Sequence, residues 1–368
     1  MGTPGFQLKA APAHSGLILK SSNYELYGDI SRRVIVTLGE FTPDVEQYSI
    51  DEAFLHLHPP AGTDFAALGA RIRRTILKWI GIPCGIGFAP SKTLAKIANH
   101  IGKKLPEGVF VMPEDPRPIL ETLPVGEVWG VGRRLGDKLA LLGIRTAWQL
   151  AAAGETVLRR HFNVTLAKTA LELRGIPLFE QEAPGELSKS ISCSRSFGRP
   201  VTVFEELAEA VAHYTGAAAE KLRKEKQRAA GVNLYLQYYP EYEPHPQPGG
   251  VHATTVSFAT PLSGTLPMLR EIQPKLRGIF QPGRRYKKAG VLFFGLESEE
   301  NRQTDLFADP VREAKTDRLS ETMDQINRHF GRGTLFPLAE GIRRPWKMKR
   351  EMLTRSFTTD WNEIPEVK

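Results

Sequence analysis

The segment QYSIDEAFLHL, residues 47–57, sets two adjacent carboxylates, Asp51 and Glu52, at the tip of an otherwise apolar β-hairpin. Side chains alternate faces along a strand, yet at a hairpin tip two consecutive residues can both project toward one site. Two hard oxygen donors there suit magnesium, and phosphoryl-transfer sites with two ions about 3.5–4 Å apart need carboxylates that bridge them. An Asp-Glu pair is also ordinary turn chemistry, so the pair alone leaves both readings open.

Three further segments have residue types that suit phosphate or peptide chemistry. GIGFAPSKTLAKIANHIGKK resembles a P-loop but fails its pattern, which requires Gly where Ile86 and Ser91 stand. A strand followed by a Ser-capped helix still aims backbone N–H groups outward, and Lys103 near the far end is a candidate triphosphate contact. The helix dipole alone also favours Lys at that position. In EVWGVGRRLGDKLALLGI, Gly130, Val131 and Gly132 form a tight hairpin between short helices, with Arg133, Arg134 and Lys138 beside it. Backbone N–H groups in such a hairpin can approach a phosphate oxygen, which is how a helix-hairpin-helix grips DNA without reading sequence. A plain helix–turn–helix connector would look similar but less basic. In NRQTDLFAD, residues 301–309, Gln303, Leu306 and Phe307 form a Q-x-x-L-F pentapeptide in a polar context. Two large apolar residues there suit either a partner's hydrophobic groove or burial against their own domain.

The elements that must position these residues follow from periodicity. Tyr24, Tyr27, Ile30, Val34 and Leu38 share one face of a helix over residues 23–38, and strands on either side of the Asp-Glu pair come next. A helix over 64–79, a strand IPCGIGFA, a helix over 91–102 and a strand GVFVM complete an α/β layer region. Between 116 and 184 the strand signals vanish and short helical patterns are punctuated by Gly. After the linker-like PGELSKS, the order is strand ISCSRSF, helix 204–226, strands VNLYLQYY and HATTVSFA, helix 265–280 and strand KKAGVLFFGL. This β-α-β-β-α-β order is the split ferredoxin-like arrangement. Beyond Glu297 the chain turns polar, and its final 26 residues show little periodicity.

Composition narrows the function classes. The 368 residues, 41% hydrophobic, are enough for two or three domains with sizeable cores. No apolar run reaches the roughly 18 residues that span a bilayer, the start lacks signal-peptide order, and Phe6 disfavours myristoylation of the Met-Gly start. A cytoplasmic protein without membrane partners is expected. Cys84 and Cys193, far apart in apolar segments, read as reduced core thiols. Residues 188–295 hold 15 Lys and Arg against 8 Asp and Glu, a net +7 of the whole chain's +8. So local an excess suits a nucleic-acid surface, although a solvated Lys-rich face would give the same count.

Taken in order, YSIDEAF, SKTLAKIANHIGKK, VWGVGRRLGDKL, a basic β-α-β-β-α-β domain and QTDLF resemble the Y-family translesion DNA polymerases. SSNYELYGDIS, CSRSFG, YKKAGV, GRGTLF and WKMKREML are similar to the UmuC type, the catalytic subunit of DNA polymerase V. The resemblance covers essentially the whole chain. It implies an α/β plus α+β multidomain right-hand fold: a fingers remnant at 1–25, an incomplete palm at 26–115, a helix-hairpin-helix thumb at 116–184 and a little finger at 188–297. A C-terminal region at 298–368 would hold a clamp-binding peptide and a partner tail.

By the same resemblance the chain is an error-prone DNA-directed DNA polymerase subunit of the SOS response. Asp51 and Glu52 would be catalytic Mg²⁺ ligands, Lys103 a triphosphate contact, residues 130–134 and Lys138 a DNA grip, and Gln303, Leu306 and Phe307 a sliding-clamp peptide. Implied partners are primed and damaged DNA, dNTP, the clamp, a processed UmuD-type protein and a RecA filament. The family also has an Asp near the chain start, followed closely by an aromatic steric gate. Residues 1–24 contain no Asp or Glu, so that ligand, the first palm strand and much of the fingers are expected to be absent. Losing one bridging group removes transition-state stabilisation of roughly 2.7–4 kcal/mol. The alternative is a non-catalytic DNA- and clamp-binding remnant.

Overall fold

The computed structural model describes residues 16–180, 187–240, 249–301 and 310–366. The chain forms two compact units, one built from Met1–Pro184 with Met352–Lys368 and the other from Gly185–Glu351.

The first unit begins with helix α1 (Tyr24–Leu38), where the Asn23 side chain accepts from Leu26 N. Strands β1 (Val45–Gln47) and β2 (Ala53–Leu55) pair antiparallel with Val45 opposite Leu55 and Glu46 opposite Phe54. The two-residue period sorts the faces of this hairpin. Val45, Ala53 and Leu55 pack on a core of Leu38, Ile72 and Ile76, leaving Glu46 and Phe54 to the other face. Helix α2 (Phe65–Ile80) starts on the Asp64 side chain and stops at Gly81, whose φ of +82° a side chain rarely tolerates.

Strands β3 (Ile86–Phe88) and β4 (Val109–Val111) pair in parallel, joined through helix α3 (Lys92–Gly102). The α3 backbone lies so close to β3 that a Cβ on Gly87 would sit 2.1 Å from Asn99 N. Among the described residues the four strands form two separate two-stranded sheets, not one layer.

Short helices follow: α4 (Arg117–Thr122), α5 (Arg133–Leu141), α6 (Ala147–Ala152), α7 (Glu155–His161) and α8 (Val164–Glu172). Their core is continuous with α3, since Leu94, Ile97 and Ala98 bury with Leu120, Leu139, Leu150 and Leu173. The α3 helix therefore has its apolar side in the helical region and its Lys92 and Lys96 toward the carboxylate hairpin.

The second unit is a four-stranded antiparallel sheet of β5 (Ile191–Val201), β6 (Gln227–Tyr238), β7 (Val251–Leu262) and β8 (Tyr286–Ser298), in the order β5-β8-β6-β7. Helices α9 (Phe204–Lys224) and α10 (Thr265–Ile279) bury Leu207, Val211, Leu222, Ile272 and Leu276 with Val232, Leu234, Val291 and Phe293 of the sheet. The β-α-β-β-α-β order expected from periodicity is the observed one.

The polar region beyond the last strand contains a 21-residue helix, α11 (Pro310–Phe330), that hydrophobic patterning did not announce. Two arginines with little solvent exposure hold it to the sheet unit. Arg223 pairs with Asp324 at 2.7 Å, and Arg228 reaches Asp317 at 2.7 Å and Glu299 at 3.2 Å. Further on, Trp346 is 1% exposed, donates to Glu209 and stacks edge-on against Tyr214. The last described stretch returns to the first unit. Ser21 N donates to Met352 O at 2.9 Å, Asn23 Nδ2 to Thr354 O, and Thr358 Oγ1 to Asp29 Oδ2 at 2.8 Å.

Candidate active site and nucleic-acid interface

The hairpin tip is closed by the Glu52 carbonyl, which accepts from both Tyr48 N at 3.1 Å and Ser49 N at 3.0 Å. That turn presents the two carboxylates differently. Asp51 is exposed and accepts from Ser49 Oγ at 2.7 Å. Glu52 reaches across to α3, where Lys96 Nζ lies 2.8 Å from its Oε2. One helical turn earlier, Lys92 is buried against Glu46, with Nζ 2.6 Å from Oε2 and 2.8 Å from Oε1, and it also donates to Glu180 O. Two successive turns of α3 thus clamp β1 and the hairpin tip through paired charges. For so little-exposed a pair as Lys92–Glu46, removing one partner is far more damaging than the pair's net contribution suggests, because the other charge is left stranded.

Two of the outward N–H groups expected at the start of α3, those of Thr93 and Leu94, are already taken. Ser91 Oγ accepts from Leu94 N, while the fully buried Glu172 accepts from Thr93 N at 2.8 Å, Leu178 N at 2.8 Å and Phe179 N at 3.0 Å. The first turn of the helix is thus capped by the chain's own Ser91 hydroxyl and Glu172 carboxylate. Lys103, by contrast, is the exposed C-cap residue just past α3. It lies seven residues from Lys96, and at 3.6 residues per turn that places the two on one face roughly 10 Å apart.

The Gly130–Val131–Gly132 hairpin enters α5 directly, with Gly132 as the helix N-cap. Gly130 has φ +84°, which the turn needs and a side chain resists, and the space over Gly130 and Gly132 is open. Val131 is different: its side chain is 5% exposed and its N–H donates to Val128 O. Of the three hairpin residues, Gly130 and Gly132 are thus the two with open space above them, and Arg133, Arg134 and Lys138 are all exposed.

Trp129, missed in the sequence reading, joins this hairpin to the carboxylates. Its Nε1 donates to Tyr48 Oη at 3.0 Å, and its ring meets those of Tyr48, Phe54 and Phe179 with centroids 5.4–5.8 Å apart. Lys96, also missed, places Nζ 5.0 Å from the Tyr48 ring centroid and 5.9 Å from that of Trp129. No group of three or more acidic, His or Cys side chains converges among the described residues. The donor set nevertheless fits a divalent cation of the magnesium kind, which binds one or two carboxylates and takes its other oxygens from water and substrate phosphates. The clamp-type pentapeptide Gln303, Leu306 and Phe307 lies outside the described residues.

In the second unit, helices α9 and α10 cover one face of the sheet and the other carries mostly small and polar side chains. The cross-strand rows read Ser192, Leu292, Asn233, Thr255 and then Ser194, Gly290, Tyr235, Ala253. The basic excess gathers partly at one end of β8, where Arg284 lies over the Tyr238 ring and Arg285 and Lys287 over that of Tyr239. Both thiols are pushed above the usual range by burial, consistent with inert core cysteines.

Comparison with known proteins agrees with this geometry. Residues 1–100 match the impB/mucB/samB family, 113–144 its helix-hairpin-helix motif, and 188–306 its C-terminal domain. Residues 317–367 match a domain of unknown function, DUF4113. The chain is 40% identical to Protein UmuC of Salmonella typhimurium over all of its own length and 88% of that protein. It is 36% identical to Protein SamB of Salmonella typhimurium, with the same coverage. It is also 28% identical to DNA polymerase IV of Desulfatibacillum aliphaticivorans across 85% of this chain and 77% of that one. Among solved structures, the Y-family DNA polymerase chimera Dbh-Dpo4(243-245)-Dbh superposes with a TM-score of 0.58 at 20% identity, covering 75% of this chain and 78% of that one, a likeness of fold. The chain belongs to the impB/mucB/samB family of UmuC-type Y-family DNA polymerases.

Proposed function

We propose that this protein is the catalytic subunit of an error-prone translesion DNA polymerase, adding dNTPs opposite damaged template bases with Mg²⁺ held by Asp51 and Glu52. The observation that carries this reading is the Tyr48–Trp129 bond: it joins the carboxylate hairpin to the residue preceding the Gly130–Gly132 phosphate grip. Bound ions supply Lewis-acid charge to the attacking and leaving oxygens. The chain's own groups do the rest. Ser49 and Lys96 orient the two carboxylates. Lys103 meets the triphosphate, and the amides of Gly130 and Gly132 with Arg133, Arg134 and Lys138 hold the DNA backbone. Catalysis of this kind is mostly positioning and electrostatics, which suits side chains fixed by packing.

The open face and basic end of the second unit's sheet suit a nucleic-acid backbone, and Gln303, Leu306 and Phe307 a sliding clamp. A processed UmuD-type protein and a RecA filament are further partners in this reading. A cytoplasmic setting accords with the finding that, among the described residues, no helix is long and apolar enough to cross a membrane. The non-catalytic remnant is the less favoured reading, because relatives at 34–40% identity align over essentially the whole chain. The test is primer extension past an abasic site: synthesis by the native protein that is lost in Asp51→Ala supports the assignment. Undetectable synthesis, or synthesis indifferent to Asp51, overturns it.

A further inference from the structure

We propose that Lys96 is a positioning residue that holds the Glu52 carboxylate in one orientation and competes with the divalent cation for it, and that the Tyr48–Trp129 pair keeps its ammonium in place. This rests on the reading of Asp51 and Glu52 as metal ligands. The ammonium is 2.8 Å from Glu52 Oε2, with the Lys96 side chain 20% and the Glu52 side chain 30% exposed. An ordinary surface Lys–Glu pair contributes little because both side chains must give up their rotamer freedom to form it. Here that freedom is already restricted.

Two aromatic rings wall the ammonium, Tyr48 at 5.0 Å and Trp129 at 5.9 Å, each within reach of a favourable cation–π contact. Those walls are themselves fixed by the Trp129 Nε1 bond to Tyr48 Oη and by edge-on contacts to Phe54 and Phe179. From below, the α3 helix is anchored by Lys92 on Glu46 and by Glu172 at its first turn. The backbone from which the Glu52 side chain springs is also fixed, because its carbonyl is engaged by Tyr48 N and Ser49 N. The pair is thus built from both sides.

Two opposed consequences follow. A cation fixed on Oε2 leaves Oε1 for a metal ion and lowers the carboxylate's affinity for it by like-charge repulsion. The same cation holds the carboxylate where turnover needs it. A neutral residue at position 96 therefore tightens metal binding while slowing synthesis, a combination that loss of folding does not produce.

The test measures Mn²⁺ binding by electron paramagnetic resonance on the full-length protein with primed DNA and a non-hydrolysable dNTP, beside single-turnover incorporation in Mg²⁺. For Lys96→Met, Mn²⁺ binding tighter by roughly threefold to tenfold with incorporation at least tenfold slower, and near-native values for both in Lys96→Arg, support the proposal. Unchanged Mn²⁺ affinity, or weaker affinity, in a folded Lys96→Met overturns it. If that variant fails to fold, Lys96→Gln gives the same two readouts from a polar stem. Glu52→Gln separates the layers: if it leaves Mn²⁺ binding intact, the metal-ligand reading itself fails, whereas loss of Mn²⁺ there beside an unaltered Lys96→Met rejects the role of Lys96 alone.

Discussion

Trp129 Nε1 donates to Tyr48 Oη across 3.0 Å, tying the residue before the Gly130 hairpin to the strand end that leads into Asp51 and Glu52. Eighty-one positions separate the two residues, and the contact joins the two segments that sequence chemistry singled out independently. The carboxylate hairpin and the Gly130–Gly132 turn are thereby tied to one cluster of packed aromatic rings.

Trp129→Ala removes a ring that meets Tyr48, Phe54 and Phe179. Burial lost at such a site costs about 3–5 kcal/mol, and the partly exposed ring puts this variant at the low end. Tyr48→Phe keeps the packing and loses one hydrogen bond, about 1 kcal/mol. Denaturant unfolding is expected to order the two variants that way, with primer extension slowed in both.

Arg133→Ala and Arg134→Ala are expected to weaken DNA binding alike for all sequences and to lower the salt-dependence slope by roughly one unit each. Gly130→Ala strains a left-handed turn by about 1–2 kcal/mol and is expected to weaken binding further. Fluorescence anisotropy on primed duplexes over a salt series reads both effects; equal slopes in native and arginine variants would rule these contacts out.

Glu172 is the buried cap of α3, and Glu172→Ala strands the N–H groups of Thr93, Leu178 and Phe179. Each unmet buried donor costs about 1–3 kcal/mol, so this single exchange is expected to unfold the first unit at 37 °C. Limited proteolysis would show residues 185–351 persisting as a protected fragment.

Cys84 and Cys193 have thiols raised above the ordinary value of 9.0, in both cases first by burial. A raised folded-state value means the unfolded chain releases its thiol protons first as pH rises. The stability these groups contribute is therefore intact below pH 9 and is lost as pH climbs through the folded values. Alkylation by iodoacetamide at pH 8 is expected to be slow in the native protein and rapid in denaturant.

Much of this architecture was legible from residue patterns. Asn23, Asp64 and Ser91 each stand before an apolar 3.6-residue rhythm, and each is the observed side-chain cap. The β-α-β-β-α-β unit was readable because its strands are long and its helices have well-marked apolar faces. The α11 helix was not, since its attachment comes from Arg223 and Arg228 pairing with its acids and not from an apolar stripe. Asp51 and Glu52 stood out by type. Lys96 and Trp129 did not, because their importance lies in contacts with residues 44 and 81 positions away. Glu172 was equally hidden, since the carboxylate that helps cap the start of α3 lies 79 residues after Thr93.

In the proposed function, Asp51 and Glu52 hold the catalytic metal of a DNA polymerase. The most direct measurement is single-turnover incorporation of one dNTP on primed DNA in Mg²⁺, comparing native protein with Asp51→Ala and Glu52→Ala at saturating DNA. The predicted result is incorporation by the native protein and a loss of at least a hundredfold in each variant, with DNA affinity within about threefold of native. Incorporation that survives both substitutions, or is absent from the native protein while DNA still binds, would contradict it.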